Sequence, residues 1–256
     1  KDENKFKKQI RDIVDIFNKN LIYIKDEINK YALKEYNKTV NINKMVLGEL
    51  AKNKVIKYIP HGIDSEAFYN ITKDSDIEII NKLKEFRKGL FGSKDYQFIV
   101  LFNSRNIRRK NPSDLIAAYA LFCDKIGKEN AKKCLLLMHT DAIDPNGTNL
   151  YEIRDLLCDP EYVNILITSF KYDPPTMKFL YNIADVTCLP SSNEGWGLTL
   201  TESLMCNKVI IANVTGGMQD QMRFVNEEGK WIDFNENFCS NHFGTYKECG
   251  EWAIPV

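Results

Sequence analysis

The chain has 256 residues, 44% of them hydrophobic and 27% charged, with 35 basic residues against 35 acidic ones. That length holds one large domain or two small ones and buries a core without disulfide staples. The zero net charge excludes the basic footprint of a nucleic-acid binder, and no apolar run approaches a membrane span, so neither a nucleic-acid partner nor a transmembrane segment is expected.

In chain order, Phe6, Ile10, Ile13, Val14 and Phe17 recur at helical spacing. A short buried strand is expected at 20–24, a helix capped by Asp26 to about Tyr36, and a second helix over 41–51. Residues 55–59 read as a strand stopped by Pro60. Residues 61–97 read as a connection with one helix, which carries Ile77, Ile80, Leu83 and Phe86 and is ended by Gly89 and Gly92. From Phe98 onward strand and helix alternate. Strands are expected at 98–102, 134–138, 163–167, 186–189 and 209–212. Helices are expected from Pro112, with Asn111 as cap, to about Lys125, then near 150–158, from Pro174 to about Ile183, and over 197–205. Continuous apolar strands separated by helices specify a Rossmann-like, doubly wound parallel α/β sheet.

The seven cysteines, Cys123, Cys134, Cys158, Cys188, Cys206, Cys239 and Cys249, form no CxxC or Cys/His ligand spacing. They read as buried free thiols of a reducing compartment. With no signal peptide in view, a cytoplasmic location is expected and the sequons at Asn37, Asn70, Asn146 and Asn213 read as chance. Both ends of the chain are abrupt and read as those of a trimmed protein.

Parallel sheets bind ligands where strand ends lead into helices. Two such loops carry unusual chemistry. After the first strand come Arg105, Arg108, Arg109 and Lys110, just ahead of a helix N-terminus. A guanidinium, an ammonium and free backbone N–H groups suit a diphosphate, although a solvated basic loop has the same composition. After the strand at 186–189 comes Asn193-Glu194-Gly195-Trp196-Gly197-Leu198-Thr199. Its glycines allow close backbone approach, and the N–H groups of Gly197, Leu198 and Thr199 face an anion at the new helix. Glu194 and Glu202 are poor phosphate ligands but good acceptors for the paired hydroxyls of ribose and sugars. Asp74-Ser75-Asp76 has a metal-binding spacing but lies in the connection, so it reads as structural. His61 and His139 read as structural histidines or as acid/base groups. Trp196 either stacks on a ligand or packs on loops, and Gly216-Gly217 either borders the site or makes a turn.

Glu194-x7-Glu202 within Glu-Gly-Trp-Gly-Leu resembles the EX7E signature of retaining, family-4-like glycosyltransferases of the GT-B fold. Arg105-x4-Lys110 is similar to that family's donor-diphosphate pair, and 58–64 (Tyr-Ile-Pro-His-Gly-Ile-Asp) to its interdomain stretch. Thr199 stands where the family usually has proline. The resemblance implies that residues 1–60 are the remnant of an acceptor-side Rossmann-like domain, 61–97 an interdomain linker, and 98–256 the nucleotide-sugar donor domain. It implies a sugar moved with retention from a nucleotide-sugar donor to the hydroxyl of an unknown acceptor (glycan, lipid or protein), with no metal and no cofactor. By the same resemblance Arg105 and Lys110 hold the diphosphate, Glu202 the ribose, and Glu194 with Gly195, Trp196, Gly197, Leu198 and Thr199 the sugar and phosphates. The loop at 169–172 is placed near the base. Two other readings stay open: a non-catalytic nucleotide-sugar-binding module, and a glycoside hydrolase using the two glutamates as its carboxylate pair.

Overall fold

The computed structural model describes residues 47–54, 62–232 and 246–256. The helices and strands expected before residue 41, the strand at 55–59, His61 and Cys239 lie outside them. Of the helix expected over 41–51, the described part is a 3-10 helix, Gly48–Asn53.

Helix α1, Ile77–Phe91, starts where Asp76 accepts a hydrogen bond from the Glu78 N–H and stops at Gly92, whose φ is 61°. The cap requires that left-handed backbone, so Gly92 ends the helix and Gly89, expected to share the role, lies inside it. Asp76 is accordingly a helix cap. Then come β1 (Phe98–Asn103), α2 (Pro112–Ile126), β2 (Cys134–His139), α3 (Leu150–Leu157) and β3 (Ile165–Thr168). After these follow α4 (Pro174–Ile183), β4 (Val186–Leu189), α5 (Leu198–Met205), β5 (Val209–Ala212), α6 (Gly217–Met222) and β6 (Ala253–Pro255). β3 begins two residues later than its apolar run, because the Val163 N–H is taken up by the Asp159 carbonyl in a turn, at 2.9 Å. The pattern of the sequence does not announce α6 or β6.

The described strands form one six-stranded sheet in the order β3-β2-β1-β4-β5-β6, and every pairing is parallel. Alternating residues of β1 feed two cores, one on each face. Phe98, Val100 and Phe102 pack with Leu115, Tyr119 and Phe122 of α2 and Met218 and Met222 of α6. Ile99 and Leu101 pack with Phe91 of α1 and Leu180 and Tyr181 of α4. Each such side chain contributes about 1.5–3 kcal/mol by leaving water, which is why the central strands are predominantly apolar. The segment before α1 is tied to the same face: Asn182 of α4 accepts from the Ile71 N–H at 2.8 Å and donates to the Tyr69 carbonyl at 3.0 Å. Burial pushes the thiols of Cys134, Cys158 and Cys206 up to about 11 and that of Cys123 up to about 12, so these are inert packing groups.

From β1 the chain moves outward through β2 to β3, and from β4 outward through β5 to β6. The order therefore reverses between β1 and β4, which pair directly through Val100–Val186 and Leu101–Thr187. The two chemically unusual loops leave adjacent strands at this switch point, where the diverging connections open a crevice.

Candidate functional site

The loop after β1 ends in a 3-10 turn, Arg108–Lys110, and Asn111 adopts left-handed backbone, φ 52° and ψ 43°, before α2. Asparagine tolerates that conformation. Its side chain does not cap α2 as expected. Asn111 Nδ2 instead donates to the Pro190 carbonyl of the β4 loop at 2.8 Å. The Ser192 N–H donates to the Arg109 carbonyl at 2.8 Å, and Asn213 Nδ2 donates to the carbonyls of Pro190 and Ser191 at 3.0 and 2.9 Å. The loops of β1, β4 and β5 are thereby sewn to one another.

These bonds bring Lys110 and Glu194 together. The Lys110 ammonium donates to Glu194 Oε1, and Arg109 Nη1 lies 3.1 Å from Glu194 Oε2. Arg109 Nη1 also donates to the Asn193 carbonyl at 2.6 Å. The Glu194 side chain is buried. Burial pushes the Lys110 ammonium below its ordinary range, against the opposing pull of the Glu194 carboxylate.

Arg105 does not join this cluster. Its Nε and Nη2 reach Asp144, at 2.7 and 3.3 Å. The guanidinium holds the Asp144 carboxyl below the usual range. Buried Asn106, beside it, donates to the carbonyls of Ala142 and Thr148 at 3.2 and 2.7 Å, fastening the β1 loop to the β2–α3 loop.

Gly197, with φ 83°, begins α5; Leu198 is exposed there and Thr199 half-buried. In the first turn of a helix the leading N–H groups lack intrahelical acceptors and carry partial positive charge. The Trp196 indole N–H donates to Thr201 Oγ1 of α5 at 2.8 Å. Gly195 is open, with no atom within 4 Å of where a Cβ would stand. Gly216 and Gly217 press against the back of the loop, and a Cβ on either collides with the carbonyl oxygen of Glu194 or of Gly195, respectively. The Gly217 N–H donates to the Glu194 carbonyl at 3.2 Å, and Gln221 Nε2 to the Trp196 carbonyl at 2.6 Å. This glycine pair therefore borders the site.

Glu202, in the second turn of α5, accepts from the Tyr181 hydroxyl, and burial holds its carboxyl above the usual range. The sequence pattern does not single out Tyr181. Arg109 was legible as one of four clustered cations, with nothing in the spacing to set it above Arg105. His139 Nδ1 lies 3.0 Å from Thr168 Oγ1, and its ring stacks on Tyr172, centroids 5.3 Å apart. Burial lowers the basicity of that imidazole. Beside it, Phe170 is exposed.

The profile described as "Glycosyl transferases group 1" matches residues 84–237. Glycogen synthase of Chlamydia pneumoniae is 24% identical over 211 residues, 78% of this chain and 42% of that protein. D-inositol 3-phosphate glycosyltransferase of Corynebacterium jeikeium is 25% identical over 178 residues, 69% of this chain and 40% of that protein. The chain spans less than half the length of these curated relatives. Among solved structures, the catalytic domain of Starch Synthase IV from Arabidopsis thaliana, bound to ADP and acarbose, shares the fold. Its TM-score is 0.50 at 17% identity, over 83% of this chain and 40% of that one.

Proposed function

The chain belongs to the glycosyl transferases group 1 family, and on that premise we propose that it carries the nucleotide-sugar donor site of a retaining glycosyltransferase. The observation that supports this is the pairing of Lys110 and Arg109 with Glu194 at the switch point of the sheet, just ahead in the chain of the N-terminus of α5. Transfer of a sugar requires the leaving diphosphate to be stabilised as its negative charge grows. Cations and helix N–H groups already gathered at the crevice supply that stabilisation, and in this reading no metal is required.

Lys110 takes the diphosphate, and Glu194, partly released from it, accepts from sugar hydroxyls together with the backbone of Gly195 to Thr199. Arg105 exchanges Asp144 for a phosphate oxygen, a short guanidinium swing at an exposed side chain. Glu202 accepts from the ribose. Tyr172 and Phe170, beside His139, lie next to the base. Attack from the face of the departing phosphate, with that phosphate assisting, gives retention. The acceptor hydroxyl comes from a glycan, a lipid or a protein.

Calorimetry of the chain with UDP-, GDP- and ADP-sugars tests the reading. One of them binds, and Lys110→Ala weakens it by about tenfold or more, as expected for loss of a charge-assisted bond. A folded chain that binds none of the panel ends the proposal.

A further inference from the structure

Glu202 stands at the end of a partly buried chain of hydrogen bonds. Asn103, the last residue of β1, donates from Nδ2 to the Tyr181 hydroxyl at 2.7 Å, and that hydroxyl donates to Glu202 Oε2. Tyr181 is wholly buried, and Phe68 packs edge-on to its ring with centroids 6.0 Å apart. Phenylalanine would fill the same space. A buried hydroxyl costs stability unless it is bonded, so the phenol oxygen is retained for its two partners. The bond to Oε2 fixes the rotamer of Glu202 and leaves Oε1 as the oxygen with full accepting capacity. The same strand end carries Asn103 and leads into the Arg105–Lys110 loop, so one element sets both ends of the site in register.

We propose that Tyr181 is a positioning residue that makes the site select an intact ribose: by pinning Glu202 through Oε2, it holds the other oxygen where a vicinal diol presents its hydrogens. A carboxylate free to rotate accommodates one hydroxyl nearly as well as two. One held by the fold does not, because an absent hydroxyl leaves a desolvated acceptor unsatisfied. The proposal deepens the reading of Glu202 as the ribose acceptor and rests on it.

The test uses the nucleoside diphosphate that binds the full chain most tightly, together with its 2′-deoxy and 3′-deoxy counterparts, each titrated into wild type, Tyr181→Phe, Asn103→Ala and Glu202→Gln. Wild type prefers the ribonucleotide. Tyr181→Phe weakens the ribonucleotide by about tenfold and leaves the deoxynucleotides nearly unchanged, so the preference collapses. Asn103→Ala, which keeps the phenol but removes its donor, moves the ratio the same way by less, and it carries the test alone should Tyr181→Phe fail to fold. An equal loss for all three nucleotides is a packing effect and overturns the proposal. A ribose preference kept by Tyr181→Phe but lost in Glu202→Gln overturns it while leaving Glu202 on the ribose. A wild type indifferent to the missing hydroxyls removes Glu202 from the ribose, and the proposal with it.

Discussion

At the scale of the residue, burial shifts the ionisation of Glu202 and of Lys110 in opposite directions. Glu202 is half-buried in α5, and its carboxyl lies above the usual range because burial penalises the anion more than the Tyr181 hydroxyl supports it. A raised carboxyl binds its proton more tightly folded than unfolded. Its contribution to stability is therefore fully present below pH 4.5, the ordinary value, and is lost as pH rises through the folded value. Glu202→Gln keeps the shape and an acceptor for Tyr181 but cannot ionise. Its urea-unfolding stability should exceed that of wild type at pH 7, with the difference vanishing toward pH 4. A variant less stable than wild type at pH 7 would show that the anion is welcome where it lies. Lys110 is pushed the opposite way by the same burial, toward its neutral form.

At the scale of the element, glycines decide how closely α6 approaches the Glu194 loop. Gly216 combines a φ of 55° with a carbonyl oxygen where its Cβ would stand, whereas Gly195 has an ordinary φ and open space around it. Gly216→Ala should lose more than about 1 kcal/mol in urea unfolding and weaken nucleotide binding, while Gly195→Ala leaves stability unchanged. Equal stability of the two variants would contradict the packing described for α6. The same elements show what a sequence discloses. The strands β1, β2, β4 and β5 were legible because each is buried on both faces and so is mostly apolar, with Thr187 of β4 the buried polar exception. Helix α6, six residues of Gly-Met-Gln-Asp-Gln-Met, has no periodicity to read, and three-residue β6 is identified only by its pairing with β5. In the site, Glu194 and Lys110 were legible because loops at strand ends are short and local. The bond from Tyr181 to Glu202 joins two separate helices, α4 and α5, which no local spacing encodes. The choice between Arg105 and Arg109 as the partner of the cluster depends on the distant Asp144, which spacing within the loop does not encode.

At the scale of the molecule, a parallel sheet with its order reversed between β1 and β4 puts the best-buried strands beneath the site. A ligand bound there holds elements from both halves of the sheet, so its binding energy appears in the global unfolding transition. At a hundred times its dissociation constant, a nucleoside diphosphate should stabilise the chain by about 2.7 kcal/mol and raise the midpoint by about 5–10 °C in scanning calorimetry. An unmoved midpoint at a concentration that saturates the titration would mean the ligand grips a part that melts on its own. The carbonyl of Pro190, held by both Asn111 and Asn213, bears on how that ligand arrives. Because side chains of the protein already immobilise the rim, a newcomer loses little conformational entropy on its host's behalf. The heat-capacity change of association then reports covered surface alone, with no contribution from ordering loops.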